Sequence, residues 1–322
     1  MALLVTGSMG HVGLEIVRQT VARGERVVAQ FRGTFREKEA RALGERAIFV
    51  KADLTDAAAV EALCDAHGVT GAIHTAAVPN EAYARPDPRG AVRSNVGAVG
   101  DLLDLARRKS WRRFIYVSTG SVFQNSTDPT QPILEDHPPS VVNIYSTTKR
   151  CGEMLTAMYR SQFDLSAAAV RISWVYGPPL APRVRENPRG PIPWFLKCAL
   201  SGQPVEEAAG ADFLASYTHV ADVASGLLAA YDAPQLRHDT YHLGWGRNFS
   251  TAEVVRAVTA AVPGARIAVG PGTAPWTDHT RMRGPLAGQR LTEDTGWRPK
   301  LDLDLGIASF AQWMRQNEQE WR

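Results

Sequence analysis

The stretch Val5-Thr6-Gly7-Ser8-Met9-Gly10-His11-Val12-Gly13 joins a short apolar run at the start of the chain to a segment with helical spacing. Its three glycines have different uses. Gly7 permits a tight turn, Gly10 lets the backbone approach a pyrophosphate, and Gly13 lets the helix pack closely on the strand. The helix N-terminus offers free N–H groups and a partial positive charge to phosphates. Because the glycines lie between a strand and a helix, they predict a dinucleotide site rather than a purely structural turn.

Outward from this turn, short apolar runs alternate with helical patterns. This alternation predicts βαβ units and a parallel sheet, and the continuous apolar runs are typical of strands covered on both faces. We therefore expect an α/β fold, a Rossmann-type doubly wound parallel sheet with a smaller C-terminal substrate-binding lobe. The expected strands are residues 2–5, 26–29, 47–50, 71–74, 113–117 and 167–172, and the expected helices are residues 11–23, 36–43, 56–66, 88–109 and 144–162.

The second half of the chain is less regular. We expect an NAD(P)-binding domain at residues 1–172, with later returns near 203–246, and a substrate-binding lobe at 173–202 and 247–322. Residues 124–142 are rich in Pro, Ser, Thr and Asp and predict a loop. Residues 177–190, where Pro and Arg dominate, are expected to form a surface or lid segment.

The composition is that of an ordinary globular protein, with 322 residues, 44% of them hydrophobic and 21% charged. A net charge of +3 is too small to indicate nucleic acid or membrane as a partner. No apolar run reaches the ~18 residues of a membrane helix, and the N-terminus does not resemble a signal peptide. The spacings of Cys64, Cys151 and Cys198 suit neither a metal site nor a disulfide framework. We expect a cytoplasmic protein with reduced thiols, no metal and a small-molecule substrate.

The end of the second expected strand, Val28-Ala29-Gln30-Phe31-Arg32, bears on the choice of cofactor. An acidic residue there accepts hydrogen bonds from the 2′-hydroxyl of NAD, whereas a nearby arginine accommodates the 2′-phosphate of NADP. Here the residue at the position that contacts the 2′-group is Phe31, and Arg32 follows it. The segment contains no carboxylate. The sequence therefore favours NADP, while Arg32 as a solvated surface residue of an NAD enzyme is the alternative.

Tyr145 and Lys149 are four residues apart at the start of an expected helix, so both side chains lie on one face. A phenol titrates near pH 10 in water. A neighbouring ammonium stabilises the phenolate and brings its pKa toward the working pH, as a general acid/base requires. The spacing is common by chance, and most such pairs are solvated. It gains weight from hydroxyl residues upstream, at Val117-Ser118-Thr119, which end a strand where open α/β sheets bind ligands.

Taken together, these segments resemble the extended short-chain dehydrogenase/reductase family, also called the NAD-dependent epimerase/dehydratase family. Each motif is weak to moderate alone, but their order and spacing are specific and run along nearly the whole chain. The matching segments are residues 6–13, Asp53-Leu54, residues 74–77, Asn95-Val96-Gly97, residues 117–119, Tyr145 to Lys149, residues 171–178, residues 217–223 and residues 295–299.

The resemblance implies roles by position. Thr119 matches the hydroxyl that hydrogen-bonds the reacting oxygen, Tyr145 the general acid/base and Lys149 its partner, while Asn95 and Asp222 match structural residues. Asp53 is either an acceptor for the adenine amino group or the N-cap of the next helix. The expected cofactor-binding residues are Gly7, Ser8, Met9, Gly10, His11, Val12, Gly13, Phe31, Arg32, Asp53, Leu54, Ala76, Ala77, Val117, Tyr145, Lys149 and Ile172. The expected substrate-binding residues are Val78, Thr119, Gly120, Ser121, Ser173, Trp174 and Arg283.

The sequence departs from the family's patterns at three places: one is Phe31, where NAD-binding members have an acidic residue, and the other two narrow the reaction and the substrate. Dehydratases of the family have an acidic pair directly after the Thr, and here those positions are Gly120 and Ser121, which disfavours water elimination. Members that act on nucleotide sugars often have a phosphate-clamping Arg where this chain has Ala215-Ser216. Arg283 still matches a second phosphate-side Arg. The departures favour a small polyol, sugar, sugar acid or other ketone over a nucleotide sugar.

Three functions remain open from the sequence. The first is an oxidoreductase that transfers a hydride to or from an alcohol or ketone carbon. The second is an epimerase that retains NAD(P) while it acts on a sugar or nucleotide sugar. The third is a non-catalytic NADP-binding regulatory protein, which has no need of the Thr119, Tyr145 and Lys149 set. Amphipathic helices around Val92–Arg107 and Met154–Gln162 correspond to those of the family's four-helix dimer interface, so a homodimer is possible.

Overall fold

A computed structural model describes residues 2–124, 128–179, 190–278 and 280–322. The strands are β1 Ala2–Thr6, β2 Val27–Phe31, β3 Ala47–Lys51, β4 Val69–His74, β5 Arg113–Thr119, β6 Ala167–Ile172, β7 Trp174–Tyr176, β8 Val205–Glu207, β9 Leu214–Ala215, β10 Tyr217–His219, β11 Thr240–Leu243, β12 Phe249–Ser250 and β13 Ile267–Val269. Of the expected lid segment 177–190, residues 180–189 lie outside the described part of the chain.

The helices surround the strands and follow the expected alternation in the first half of the chain. They are α1 His11–Ala22, α2 Glu37–Leu43, α3 Ala57–His67, α4 Glu81–Ala84, α5 Pro88–Val92, α6 Ala98–Arg108, α7 Ile144–Phe163, α8 Pro191–Leu200, α9 Val220–Asp232, α10 Thr251–Ala261, α11 Gln289–Thr295 and α12 Leu303–Gln316. A π-helical turn, Arg93–Gly97, joins α5 to α6. None of the helices in the described ranges is long and apolar enough to cross a membrane.

Seven strands form one parallel sheet in the order β11-β6-β5-β4-β1-β2-β3. The expected Rossmann-type sheet is therefore confirmed. The order runs in opposite directions on the two sides of the β1–β4 pair. In open α/β sheets the ligand lies in the crevice at such a reversal, outside the carboxyl ends of the strands. The sheet thus places the glycine turn after β1 at the centre of the crevice.

Both faces of the sheet are buried, because successive side chains of a strand point to opposite faces. On β1, Leu3 and Val5 pack in a core with α1 and α9. Leu4, between them, packs in the opposite core with α3 and α6. Two apolar layers therefore hold the carboxyl ends of the strands in fixed positions.

A third apolar cluster lies among the later elements. Side chains of α8, α10 and α12 pack there around Tyr176 and Tyr217. Short strand pairs support this part of the molecule: β7 with β10 and β8 with β13 are parallel, and β9 with β12 is antiparallel. Strand β11, although it comes late in the chain, pairs in parallel with β6 at the edge of the main sheet. The chain therefore passes between the sheet and the later cluster more than once.

Candidate active site

The glycine turn after β1 has the backbone that its sequence predicts. Gly7 has a φ of +63°, and a Cβ at this position would lie 2.9 Å from the Cα of Ala76. A Cβ on Gly13 would lie 2.4 Å from the Gly7 carbonyl oxygen. No side chain caps α1, which begins after Gly10. The first-turn amides of α1 are therefore available to an anion.

Gln30, which no sequence motif marks, fixes this turn to the sheet. The backbone N–H of Gly7 donates to the Gln30 side-chain oxygen at 3.0 Å, and the Gln30 amide nitrogen donates to the Ala52 carbonyl at 2.6 Å. The Ser8 N–H donates to the Gln30 carbonyl at 2.9 Å. In the sequence, Gln30 is marked only as one polar residue near the end of the apolar run of β2. A polar residue there is equally compatible with a surface position, so the sequence does not predict its role in the turn.

A cavity of about 570 Å³ follows the carboxyl edge of the sheet from the end of β2 to the residues after β6. Two expected site residues, Ser8 and Gly120, do not line it; Ser8 is fully buried beneath the turn. The expected residues that do line it are Gly7, Met9, Gly10, His11, Val12, Gly13, Phe31, Arg32, Asp53, Leu54, Ala76, Ala77, Val78, Val117, Thr119, Ser121, Tyr145, Lys149, Ile172, Ser173, Trp174 and Arg283.

At the β2 end of the cavity, Phe31 packs against Phe35 with 4.9 Å between ring centroids. Arg32 is exposed and lies 4.0 Å from a carboxylate oxygen of Asp53. The sequence suggested no carboxylate near Arg32, since Asp53 lies on the neighbouring strand connection. A hydrogen bond from the Thr55 backbone, and further contacts with Thr55 and Arg32, hold the pKa of Asp53 below its usual range. Helix α3 is capped by Asp56 instead, so Asp53 is not its N-cap.

At the other end, Tyr145 lies in the first turn of α7 and Thr119 is the last residue of β5. Asn143 begins α7 with a capping box, in which its side chain accepts from the Ser146 N–H at 2.8 Å. The Tyr145 N–H donates to Glu81 at 3.0 Å. Burial raises the pKa of Tyr145, and a side-chain hydrogen bond with Thr119 and the charge of Arg283 oppose that rise. The strand end and the helix start therefore bring these two hydroxyls together.

Lys149 lines the same cavity, but its surroundings differ from the expectation. Its ammonium lies 4.2 Å from the centroid of the Tyr116 ring. Burial lowers the pKa of Lys149 to about 7, and the charge of Glu153 opposes that effect. The sequence predicts that Lys149 lowers the pKa of Tyr145, whereas in the structure the cation that acts on Tyr145 is Arg283. The Lys149 ammonium contacts the ring of Tyr116, which is fully buried.

Asn95 connects three parts of the site from its place in the π-helical turn. Its side chain accepts from the Val78 N–H at 2.7 Å and donates to the Val78 carbonyl at 3.2 Å and to Thr148 at 3.1 Å. Turns of this kind are frequent at functional sites. The loop after β4, which carries the cavity-lining Val78, is thereby fixed to α7.

A buried ion pair supports α7 from below. The Arg171 guanidinium of β6 donates to both carboxylate oxygens of Glu153 on α7, at 2.8 and 2.9 Å. Ser118 of β5 donates to the same carboxylate at 2.6 Å. Burial raises the pKa of Glu153, but the contacts with Arg171, Ser118 and Arg150 together leave the pKa below its usual range. The helix that carries Tyr145 and Lys149 is thus fixed to two strands of the sheet.

The substrate side of the cavity is formed by the residues after β6 and by Arg283. The Arg283 guanidinium donates to the Ser173 hydroxyl at 3.2 Å. A Cβ on Gly120 would lie 3.3 Å from two of its nitrogens, so Gly120 contacts Arg283 rather than the cavity. Ala215 and Ser216 are buried and do not line the cavity. No group of His, Cys, Asp and Glu side chains in the described ranges is arranged to hold a metal ion.

Comparisons with known proteins agree with this arrangement. Residues 3–244 match the model of the NAD dependent epimerase/dehydratase family. The chain is 28% identical over 330 residues to UDP-glucose 4-epimerase of Mycolicibacterium smegmatis, covering 99% of this chain and 100% of that one. It is 27% identical over 335 residues to dTDP-glucose 4,6-dehydratase of an Actinoplanes species, covering 100% of both. The Thermus thermophilus UDP-glucose 4-epimerase complex with NAD superposes with a TM-score of 0.84 and 26% identity, covering 98% of this chain and 99% of that one.

Proposed function

The chain belongs to the NAD-dependent epimerase/dehydratase family, and on that premise we propose that it is an NAD(P)-dependent enzyme that reversibly oxidises a hydroxyl-bearing carbon of a sugar-like substrate, with epimerisation as its net reaction. The observation that carries the proposal is that the hydroxyl-bearing side chains of Thr119, at the end of β5, and Tyr145, at the start of α7, line one cavity together with Lys149. The proposal rests equally on similarity to epimerases over their full length.

The residues of the cavity fit a dinucleotide. The cradle at Gly7 and Gly13, which a Cβ would fill, and the uncapped start of α1 suit a pyrophosphate. Phe31 and Arg32 line the adenosine end, while Val117 and Ile172 line the wall toward Tyr145. When bound there, the nicotinamide supplies the hydride acceptor and donor.

Proton transfer in this proposal belongs to Tyr145. Its phenolate removes the proton from the substrate hydroxyl, and the phenol returns it when the carbonyl is reduced. Thr119 hydrogen-bonds the same oxygen and aligns it with Tyr145. Burial leaves the pKa of Tyr145 above its ordinary value, and the charge of Arg283 limits that rise and so favours the phenolate relative to a site without the cation. Lys149, with its pKa near 7, adds positive charge to the cavity as the pH falls through neutrality.

Elimination of water is disfavoured because it needs a further acid and base beside Thr119. The carboxylate among the described lining residues is Asp53, after β3. Four strand spacings separate β3 from β5, which at about 4.8 Å each amounts to roughly 19 Å. Glu81 is closer to Tyr145, but it accepts from the Tyr145 backbone and does not line the cavity.

A net dehydrogenase is the second candidate. It is favoured by Ala215 and Ser216, which are buried where many nucleotide-sugar enzymes have a phosphate-clamping Arg. The absence of a phosphate-clamping Arg at these positions fits a smaller substrate without a nucleotide, which a dehydrogenase would release as an oxidised product. The two candidates separate in a substrate panel followed at 340 nm with product analysis: isomerisation without net absorbance change supports the epimerase, and a lasting absorbance change supports the dehydrogenase.

NADP is our proposed preference between the two dinucleotides. Phe31 occupies the position where NAD-binding members of the family have an acidic residue that contacts the 2′-hydroxyl. The exposed side chain of Arg32 lines the cavity beside it. The proximity of Asp53 offsets part of the Arg32 charge. The preference is therefore expected to be modest.

A homodimer is our proposal for the assembly. Val92, Met154, Met158 and Phe163 of α5 and α7 are large apolar side chains that remain exposed. Phe163 also lies under the Arg107 guanidinium of α6, 5.2 Å from its ring centroid. Exposed apolar residues grouped on adjacent helices are typical of a protein–protein contact. We also propose a cytoplasmic location, in keeping with three free cysteines.

A further inference from the structure

Gln30 is a polar side chain buried at the end of an apolar strand. It is 2% exposed, and the three residues before it in β2 are fully buried. Burying an amide costs free energy unless its groups are hydrogen-bonded. Both ends of this amide have partners, because its oxygen accepts from the Gly7 N–H at 3.0 Å and its nitrogen donates to the Ala52 carbonyl at 2.6 Å. Only the oxygen can accept from an N–H and only the nitrogen can donate to a carbonyl, so these partners also settle the orientation of the amide.

The two bonds join the carboxyl ends of three neighbouring strands. Gly7 follows β1 and Ala52 follows β3, while β2, which carries Gln30, lies between them in the sheet. On the opposite side, Gly7 lies against the loop after β4, where its Cβ would be 2.9 Å from the Cα of Ala76. The glycine turn is therefore held between the Gln30 side chain and that loop.

Gln30 also limits which amides of the turn remain for a pyrophosphate. The N–H groups of Gly7 and Ser8 donate to the side-chain and backbone oxygens of Gln30, and the Gly10 N–H donates to the Gly7 carbonyl at 2.8 Å. Since these three amides bond within the protein, a pyrophosphate depends on the first turn of α1, which no side chain caps. The bond from Gly10 to the Gly7 carbonyl connects that first turn to the residue that Gln30 holds.

We propose that Gln30 is a positioning residue for the cofactor: it holds the glycine turn where one ligand reaches both the first turn of α1 and the adenosine pocket beside Phe31 and Asp53. Gln30 lines the cavity, but it acts through Gly7 and Ala52, to which the two ends of its amide are bonded. The ligands that depend on it are those that contain adenosine diphosphate. The inference requires only cofactor binding, so it stands or falls independently of the reaction that the enzyme catalyses.

The test is calorimetric titration of the unaltered protein and of Gln30→Met with NAD, NADP and ADP-ribose. Methionine has nearly the same length and shape but makes neither bond. We expect all three ligands to bind about tenfold more weakly, the scale of one lost hydrogen bond, and by a common factor because they share the diphosphate. Gln30→Asn, whose side chain is too short to span both partners, should give a loss of the same direction and carries the comparison if Gln30→Met does not fold.

Two further measurements separate positioning from other roles. Hydrogen exchange of the amides of residues 7–10, followed by mass spectrometry in the ligand-free protein, should become at least ~10-fold faster in Gln30→Met, because the turn loses its acceptor. The matched control is Gln19→Met, since Gln19 of α1 also donates its side-chain amide to a backbone carbonyl, that of Ala221, at 2.9 Å. Gln19→Met should lower the thermal stability without changing the affinity for the three ligands.

Unchanged affinity of Gln30→Met for all three ligands overturns the inference. Weaker binding with unchanged exchange of residues 7–10 also overturns it, because the side chain would then act by direct contact with the ligand. Equal weakening in Gln19→Met would assign the effect to a general loss of stability, with the same consequence. Absence of turnover in a protein that passes these tests contradicts only the proposed function.

Discussion

At the scale of single residues, the site combines two cations, Lys149 and Arg283, with the phenol of Tyr145, and the charges of Arg283 and Tyr145 act on each other. Lys149 contacts the Tyr116 ring, and Arg283 acts on Tyr145. The spacing of Tyr145 and Lys149 in the sequence predicts their common face. It does not reveal which cation faces the phenol, because Arg283 comes from a segment more than a hundred residues later.

Lys149 is expected to reduce the stability of the fold at neutral and acid pH. Its folded-state pKa of about 7 lies below the ordinary value, so the unfolded chain binds more protons between pH 7 and about 10. The penalty is therefore fully present below pH 7 and disappears as the pH rises toward 10. We expect Lys149→Met to raise the free energy of unfolding at pH 6 by roughly 2–5 kcal/mol, and the gain to vanish near pH 10. Urea unfolding at pH 6, 8 and 10 measures it; a gain independent of pH contradicts burial of the ammonium as its cause.

Arg32 is expected to favour NADP modestly. Arg32→Ser removes the cation beside the 2′-position, so NADP binding should weaken by about tenfold, the scale of one charge-assisted contact. NAD binding should change by less than about twofold, since its 2′-hydroxyl carries no charge. Fluorescence titration with both cofactors measures this, and Arg41→Ser, an exposed arginine of α2, is the matched control. Equal weakening for both cofactors, or tighter NAD than NADP binding by the unaltered protein, would refute the preference.

At the scale of elements, the buried pair between Glu153 of α7 and Arg171 of β6 holds the catalytic helix on the sheet. Arg171→Met leaves a buried carboxylate without its main partner, and the free energy of unfolding should fall by about 3–5 kcal/mol. The double variant Glu153→Leu, Arg171→Met removes both charges and should regain part of that loss. Denaturant unfolding of Arg171→Met, Glu153→Leu, the double variant and the unaltered protein checks this. If the double variant is as unstable as the sum of two single losses, the pair does not act as a unit.

The elements also show what the sequence can and cannot predict. Strand positions in the first half agree with the apolar runs to within two residues at each end, and β2 is displaced at both ends, beginning one residue and ending two residues later than expected. The expected helix 88–109 is divided by the turn Arg93–Gly97. The hydrophobic spacing of the expected helix continues through residues 93–97, so the sequence pattern does not reveal the π-helical turn. The reason for the turn is tertiary, since Asn95 bonds to Val78 and Thr148.

At the scale of the whole molecule, the parallel Rossmann-type sheet and the glycine turn follow from local patterns, and both were predictable, whereas the strand order β11-β6-β5-β4-β1-β2-β3 is read from the structure. Three contacts of the site were not predictable, because the fold brings their partners together from distant parts of the chain. They are Gln30 with Gly7, Asp53 with Arg32, and Arg283 with Ser173. The motifs therefore indicate which strand ends form the site, while the charges inside it come from distant segments. The expected domain boundaries stay predictions.

The exposed apolar side chains of α5 and α7 predict the assembly. Met154 is 58% exposed, and in the proposed dimer it is buried against the partner chain. We expect Met154→Lys to shift the protein from dimer to monomer in sedimentation velocity at micromolar concentration. Lys38→Met, on a different face near the C-terminus, should leave the assembly unchanged. A monomeric unaltered protein would contradict the proposed interface.

The most direct test of the central claim follows the fate of a sugar substrate. The NAD(P)-loaded protein is incubated with neutral and acidic hexoses and their UDP-linked forms, with products identified by NMR and absorbance recorded at 340 nm. We expect a stereoisomer of one substrate to form without net absorbance change. Tyr145→Phe should slow its formation at least ~100-fold, while Tyr159→Phe on the same helix should not. Formation of a lasting keto product with stoichiometric reduced cofactor, or full activity of Tyr145→Phe, would contradict the account.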